Sequence, residues 1–221
     1  IDIIRPELKP IEVFRDCGFP LLGKETSQRI DSYRKNPNLV ASKRLFIKGG
    51  FGCLSKKYYY LLDSEYNISD RCCKILKKDP SHKYEKQNGL YPILGVMAEE
   101  SKMRENDYIR RGKCNSFGEN GGKIKSLPLS IWMEQDIWDY IKDRNIAIAD
   151  IYSKGATRTG CMFCGYGCQF KNDNRLKLVY DLYPKFYNLF MNYTNNGVTY
   201  REAMRKVLSV NGLYLPDEQP P

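Results

Sequence analysis

The chain has little of what would place it in a membrane or in a secreted disulfide framework. No apolar run approaches the ~20 residues that a bilayer span needs. The stretch from Ile1 to Pro10 has neither the basic start nor the apolar core of a signal peptide. A cytoplasmic chain with no membrane partner is therefore expected. Histidine occurs once, as His82, in a polar stretch after Pro80 where a surface position is expected rather than a catalytic one. Tryptophan occurs only as Trp132 and Trp138, both of which suit an apolar face better than a stacking platform. Internal repeats, low-complexity segments and polybasic tails are lacking too.

Among what is present, charge comes first. Lys and Arg number 36 against 26 Asp and Glu, a formal net charge of +10 spread along 221 residues. Such a field attracts anions: nucleotide phosphates, a nucleic-acid backbone or an acidic partner, without naming which. The length suits one α/β domain with a real core. We expect a partial α/β nucleotide-binding-like domain over 1–150 and a cysteine-rich helical segment over 151–221 packing on the same domain. The opening run IDIIRP reads as the end of a strand before a Pro-terminated turn, so earlier strands are expected to precede it.

Local signals outline the elements. A helix is expected from Pro10, a break at Gly18-Phe19-Pro20, and a second, polar helix over Glu25 to Lys35. Short helices should continue to Tyr66, separated by Gly49-Gly50. Ser69 and Asp70 are good N-cap residues for RCCKILKK, which puts Cys72 and Cys73 in a first helical turn. Tyr91 to Ala98 reads as a buried strand followed by the polar turn EESKMR, the kind of strand end where α/β folds place ligands. After a loop at Gly118 to Gly122, KIKSLPL reads as a strand and Ser130 as the cap of a helix carrying Ile137, Tyr140 and Ile141 on one face. A helix near Arg175 to Met191 should be interrupted at Pro184. Thr199 with Glu202 forms a capping box for the last helix, and the tail LPDEQPP should fray.

The eight cysteines are unevenly placed: Cys72 and Cys73 adjacent, Cys161, Cys164 and Cys168 in one short segment, and Cys17, Cys53 and Cys114 alone. That pattern favours metal or redox chemistry over a disulfide framework. Cys161-Met-Phe-Cys164 lets two sulfurs converge, while Gly155 and Gly160 relieve the backbone. Two further ligands are needed, and the sequence offers either Cys72-Cys73 or Cys168 with Cys114. Adjacent cysteines point in different directions and rarely close on one zinc ion. A cubane cluster instead offers separate iron corners about 2.7 Å apart, and so suits them better. Arg71, Lys74, Lys77, Lys78 and Arg158 lie close by in sequence and would offset the charge of a tetrathiolate site. Cys114, beside Lys113, and Cys168 are alternative ligands or nucleophiles.

The stretches RCCKILKKDP, GVMAEESKMR, KSLPLSIWMEQDIWDYI and IYSKGATRTGCMFCGYG occur in an order that resembles the phosphoadenosine phosphosulfate reductase family, over nearly the whole chain. The resemblance implies an α/β fold with a partial Rossmann-like, adenine nucleotide alpha-hydrolase-like sheet and a helical, cysteine-rich C-terminal part. In the adenylyl-sulfate-reducing branch a Cys-Cys pair and a later C-x-x-C hold a 4Fe-4S cluster, which implies ligands at Cys72, Cys73, Cys161 and Cys164; zinc is the alternative metal. The same resemblance turns the loop after the Tyr91 strand toward the substrate's sulfate or phosphate. That nominates Glu100, Ser101 and Arg104, with Arg158 approaching from the cysteine segment.

The chain also departs from the family's pattern. A Ser-Gly-Gly-x-Asp-Ser nucleotide loop is absent, Met97 stands where relatives commonly have arginine, and the final NGLYLPDEQPP lacks the cysteine and histidine of authentic reductases. Three functions follow as expectations. The first is a sulfonucleotide reductase-like iron–sulfur enzyme acting on an adenylylated sulfate, with a reductant protein or a second copy as partner. The second is a cluster-dependent sulfur transferase modifying DNA or tRNA. The third is a non-catalytic, zinc-containing module that binds nucleic acid or a partner.

Overall fold

Proline and glycine set the first helix. The computed structural model describes residues 2–118 and 122–218. Pro10, with no N–H to leave unpaired, opens α1 (Pro10–Cys17), and Glu12 Oε2 accepts from the Lys9 N–H at 2.6 Å. Gly18 ends α1 at φ 95°, where a side chain would run into the Asn67 backbone. β1 (Leu21–Leu22) and α2 (Lys24–Lys35) follow, so the break and the polar second helix fall where the sequence placed them. Next come α3 (Val40–Lys43) and 3-10 turns at Arg44–Phe46 and Lys56–Leu61. α4 (Arg71–Cys73) starts directly after Ser69-Asp70 and runs through a π turn, Lys74–Lys78, into α5 (Asp79–Asn88). The two expected caps act differently: Asp70 makes no side-chain cap bond, and the Ser69 hydroxyl donates to the Cys17 carbonyl at 2.8 Å.

The chain divides into two compact units, Ile1–Pro80 with Asp150–Pro221, and Ser81–Ala149. The first 80 residues share one core with the cysteine segment and the last helices.

In the second unit, α6 (Lys102–Arg111) is capped by Ser101, whose Oγ accepts from the Arg104 N–H at 3.3 Å. β2 (Asn115–Ser116) and β3 (Lys125–Ser126) pair antiparallel, and α7 (Glu134–Asp143) begins after Met133. Two expectations are corrected here. The stretch Tyr91–Ala98 is not a buried strand: it makes one parallel bridge, Ile93 to Ser126, and Ile93 is 76% exposed. The physical reason is that its ladder runs along one side only, Leu94 and Ala98 donating to the Ser126 and Ser130 carbonyls, whereas a buried parallel strand needs cover on both faces. Ser130 does not cap α7, since Asp136 Oδ2 accepts from the Met133 N–H at 2.8 Å instead. Leu127 is the one buried apolar side chain of this unit among the described residues. Of the loop expected at Gly118 to Gly122, residues 119–121 lie outside the described residues, as do 219–221 of the tail.

Returning to the first unit, β4 (Gly165–Tyr166) pairs parallel with β1. α8 (Arg175–Leu182) and α9 (Pro184–Met191) meet at the expected proline break. The β5 (Thr194–Asn195) and β6 (Val198–Thr199) hairpin leads into α10 (Tyr200–Ser209), capped by the expected Thr199–Glu202 box. The core is aromatic at its centre. Phe14 meets Phe19, Phe163 and Tyr193 at 5.6 Å and Tyr200 at 5.0 Å between ring centroids, near edge-to-face in each case. The whole is a mixed α/β fold with a small parallel sheet. No helix among the described residues is long and apolar enough to cross a membrane.

Candidate functional site

Two cysteine pairs far apart in sequence meet because one short extended segment holds both of their approaches. Residues 19–22 carry a parallel partner on each side. Phe19 bridges Ile68, with the Phe19 N–H donating to the Asn67 carbonyl at 2.9 Å, and Leu21-Leu22 pair with Gly165-Tyr166. The first flank runs straight into α4 and Cys72; the second follows directly on Cys164. Gly165 is required at that junction, since a Cβ there would collide with the Tyr200 hydroxyl and the Pro20 carbonyl. Phe163, between the two cysteines of the C-x-x-C, is anchored on Phe14, and the Tyr200 hydroxyl donates to its carbonyl at 3.2 Å. Tyr166 ties the flanks together, its hydroxyl donating to the Ser69 carbonyl at 3.2 Å and also bonding the Cys72 thiol.

The thiols feel one another. The bond from Cys72, aided by Lys24 and Lys77, pulls the Cys73 thiol below its usual range against the effect of burial. Cys72 is pushed up, by its bond to Cys73 and then by burial, with the Cys73 and Cys164 charges adding to it. Burial raises Cys164, opposed by the Tyr166 backbone and Arg175. Lys77 bonds Cys161, and its ammonium is pushed above its usual range, by Cys161 first and against burial, with Cys73 and Cys164 adding to it. All four expected ligands therefore share one electrostatic neighbourhood. Among the described residues, no group of three or more His, Cys, Asp or Glu is arranged to hold a single metal ion.

Two further cysteines border the four. Cys17 packs against Cys72 in a small apolar cluster with Val13, Ile75 and Leu76. Cys168 is buried, its thiol donating to the Cys164 carbonyl at 3.4 Å and lying 3.7 Å from Arg175 Nη2, and burial pushes it up to about 12. A buried, protonated thiol is a poor nucleophile. Cys114 belongs to the second unit.

Of the cations expected near the cysteines, Lys77 faces them, whereas Lys74 is paired with Asp79 at 2.7 Å and Arg71 acts on Cys17. Lys24, Tyr166 and Arg175 are the residues that sequence reasoning missed. Tyr166 had a usable signal, its place two residues after the C-x-x-C; Lys24 had none. Arg175 is fixed by Asp173 at 2.7 Å and by the Tyr166 carbonyl. It lines a polar cleft of about 400 Å³ with Thr157, Arg158, Gly167, Phe170 and Asn172. Arg158 is exposed and makes no hydrogen bond or ion pair among the described residues. Glu100, Ser101 and Arg104 lie in the second unit: Ser101 caps α6, and Glu100 pairs with Arg104.

A mixed α/β scaffold that gathers buried and half-buried thiols near a cleft lined by Arg158 and Arg175 defines a cysteine-rich protein. Residues 52–166, just over half of the chain, match the phosphoadenosine phosphosulfate reductase domain, and the chain belongs to that family. Among curated proteins it is similar to the adenosine 5'-phosphosulfate reductase of Oceanobacillus iheyensis, 29% identical over 108 residues, covering 48% of this chain and 42% of the relative. The enzyme of the same name from Allochromatium vinosum is 23% identical over 176 residues, 74% of this chain and 61% of the relative. An uncharacterized protein of Methanocaldococcus jannaschii is 30% identical over 119 residues, 53% of this chain and 27% of the relative. The chain thus spans between about a quarter and three fifths of the length of these relatives.

Proposed function

We propose that Cys72, Cys73, Cys161 and Cys164 hold a 4Fe-4S cluster, and that the chain acts on an adenylylated sulfate whose anionic end enters the cleft of Arg158 and Arg175. The carrying observation is the shared neighbourhood of the two cysteine pairs. The donor set fits the group: four thiols, one of them already favouring thiolate, with Lys24, Lys77 and Arg175 to offset negative charge. A bound cluster would add a polarisable, charged centre beside the substrate's sulfate. The remaining work belongs to the chain's own residues. Arg158, with its guanidinium unpaired, is free to take a sulfate or phosphate oxygen through charge-assisted hydrogen bonds. Arg175, held by Asp173, presents a fixed positive edge to the same cleft. Tyr166 and Lys77 keep the thiols in register. In the second unit Arg104, with Glu100 and Ser101 around it, is a separate candidate for a sulfate or phosphate oxygen.

Anaerobic purification with iron, sulfide and zinc analysis tests the proposal. About four irons per chain are expected, lost in both Cys72→Ser and Cys164→Ser. Zinc alone, or iron retained in either variant, refutes the ligand set. Calorimetric titration with adenylyl sulfate should show binding that Arg158→Ala weakens about ten-fold, as loss of a charge-assisted bond predicts. A second reading, sulfur transfer to a nucleic-acid base, draws on Phe170, which is 59% exposed on the rim of the same cleft and offers a stacking face. Tighter binding of tRNA or single-stranded DNA than of adenylyl sulfate, weakened by Phe170→Ala, would favour it.

A further inference from the structure

Three stretches of the second unit meet around a cavity of about 470 Å³ whose lining holds none of the cysteines and neither Arg158 nor Arg175. His82, Glu85 and Lys86 fall at i, i+3 and i+4 of α5 and so share one helix face. Gly89 ends that helix at φ 63°, and the Leu90 N–H turns back to the Glu85 carbonyl at 3.0 Å, which brings Leu90, Tyr91 and Pro92 beside that face. The Ser126 N–H donates to the Pro92 carbonyl at 3.0 Å, and this pairing lays Lys123 and Ile124, just before β3, along the third side. The cavity thus lies at the start of the Tyr91–Ala98 segment, whereas Glu100, Ser101 and Arg104 follow its other end.

The lining has two kinds of surface. One is cationic. Lys123 Nζ lies 3.2 Å from His82 Nε2. An ammonium can only donate, so Nε2 accepts and the imidazole keeps its Nδ1–H as a further donor. Lys86 has no ion pair or hydrogen bond from its ammonium among the described residues. Two ammonium groups therefore stand against one acid, Glu85. The other surface is aromatic and apolar. Tyr91 is 65% exposed and Leu90 50%. The Tyr91 ring has no ring or cation partner among the described residues, and Pro92 and Ile124 complete that wall. An acidic peptide would use the charges alone. An open aromatic face beside phosphate-seeking donors suits a base joined to a phosphate. We propose that this cavity binds a nucleotide unit, its base stacked on Tyr91 and its phosphate held by Lys86, Lys123 and the His82 Nδ1–H. Glu85 accepts from a sugar hydroxyl or a base amine. The unit comes free or as one residue of a single strand, since both carry the same chemistry. This site uses no residue of the cluster or of the Arg158 cleft, so it stands or falls apart from them.

The test uses the full chain with two probes, uridine 5'-monophosphate and a fluorescein-labelled 15-mer of oligouridine. In the 15N-labelled protein the Tyr91 and Lys123 amides should shift on titration. A response to the mononucleotide assigns the site to a free nucleotide, and a response to the oligomer alone assigns it to a strand. By anisotropy, Tyr91→Ala should weaken binding of the responding probe about ten-fold, the scale of one lost base stack, while Tyr91→Phe keeps wild-type affinity. For the oligomer, Lys86→Met and Lys123→Met should each reduce the slope of log affinity against log salt by about 0.7. Lys185→Met, which removes the same charge from α9 in the first unit, controls for the general field of a chain of net charge +10 and should change affinity less than two-fold. Tyr91 and Lys123 amides unmoved by both probes overturn the proposal. So does a Tyr91→Ala variant that binds as wild type, or an equal loss from Lys185→Met and Lys123→Met, which would leave only non-specific attraction.

Discussion

Asn195 is the polar side chain on which the geometry of the thiol site most depends. It is 1% exposed. Its Nδ2 donates to the Phe14 carbonyl at 3.0 Å and the Arg15 carbonyl at 2.7 Å, and its Oδ1 accepts from the Asn67 N–H at 2.7 Å. One amide thus ties the last turn of α1 to the strand that leads into α4. Asn195→Ala deletes three hydrogen bonds, each with a net contribution of about 1 kcal/mol, and leaves the Phe14 carbonyl without this partner in the core. The expected loss is about 3 kcal/mol. For a chain of this size each kcal/mol moves Tm by roughly 2–4 °C, which gives a fall of about 6–12 °C. Asn195→Leu, which restores volume without the bonds, should fare no better. Urea unfolding gives the free energy, and the rate at which a thiol reagent labels Cys72 reports the site. A loss below about 1 kcal/mol, with Cys72 labelled at the wild-type rate, would refute this assignment of Asn195.

Gly165→Ala should destabilise the first unit by about 1–3 kcal/mol, as overpacking does, because the added methyl meets Tyr200 and Pro20. Adding Tyr200→Phe should return part of that loss and not all, the Pro20 carbonyl remaining, and urea midpoints of the single and double variants measure the difference. Asp217 lies below the usual carboxylate range: burial raises it, but the bonds from Tyr187 and Arg201 outweigh burial. A carboxylate depressed in the folded state stabilises fully above its unfolded pKa, and that contribution fades as pH falls through the folded value. The urea midpoint of Asp217→Asn should therefore trail wild type by a constant amount from pH 8 to pH 5, begin to close on it below about pH 4, and meet it only once the pH falls below the depressed folded value. Parallel curves down to pH 3 would rule this out.

Where local chemistry decides, the sequence is readable. Pro10 and Gly18 bound α1, Ser69-Asp70 precede α4, Pro184 divides α8 from α9, and Thr199 with Glu202 starts α10. Each rests on a preference that acts within one turn. What fails are statements about cover. Tyr91–Ala98 has the composition of a buried strand, but burial depends on what lies across the sheet, and Ile93 is 76% exposed. Ser130 has the chemistry of a cap, but Asp136 reaches the Met133 N–H instead.

The site shows the same division at larger scale. Adjacent cysteines argue for a cluster from bond geometry alone, yet whether Cys72-Cys73 or Cys114 and Cys168 face Cys161 and Cys164 depends on pairings between segments distant in the chain. Those pairings are made by Phe19 with Ile68 and by Leu21-Leu22 with Gly165-Tyr166, through backbone groups that carry no residue-specific signal. The cations behave likewise. Lys24 acts from α2, Lys77 from the π turn and Arg175 from α8, three separate segments out of 36 basic residues in the chain. Only the parallel pairing about residues 19–22 selects which of those charges the thiols meet.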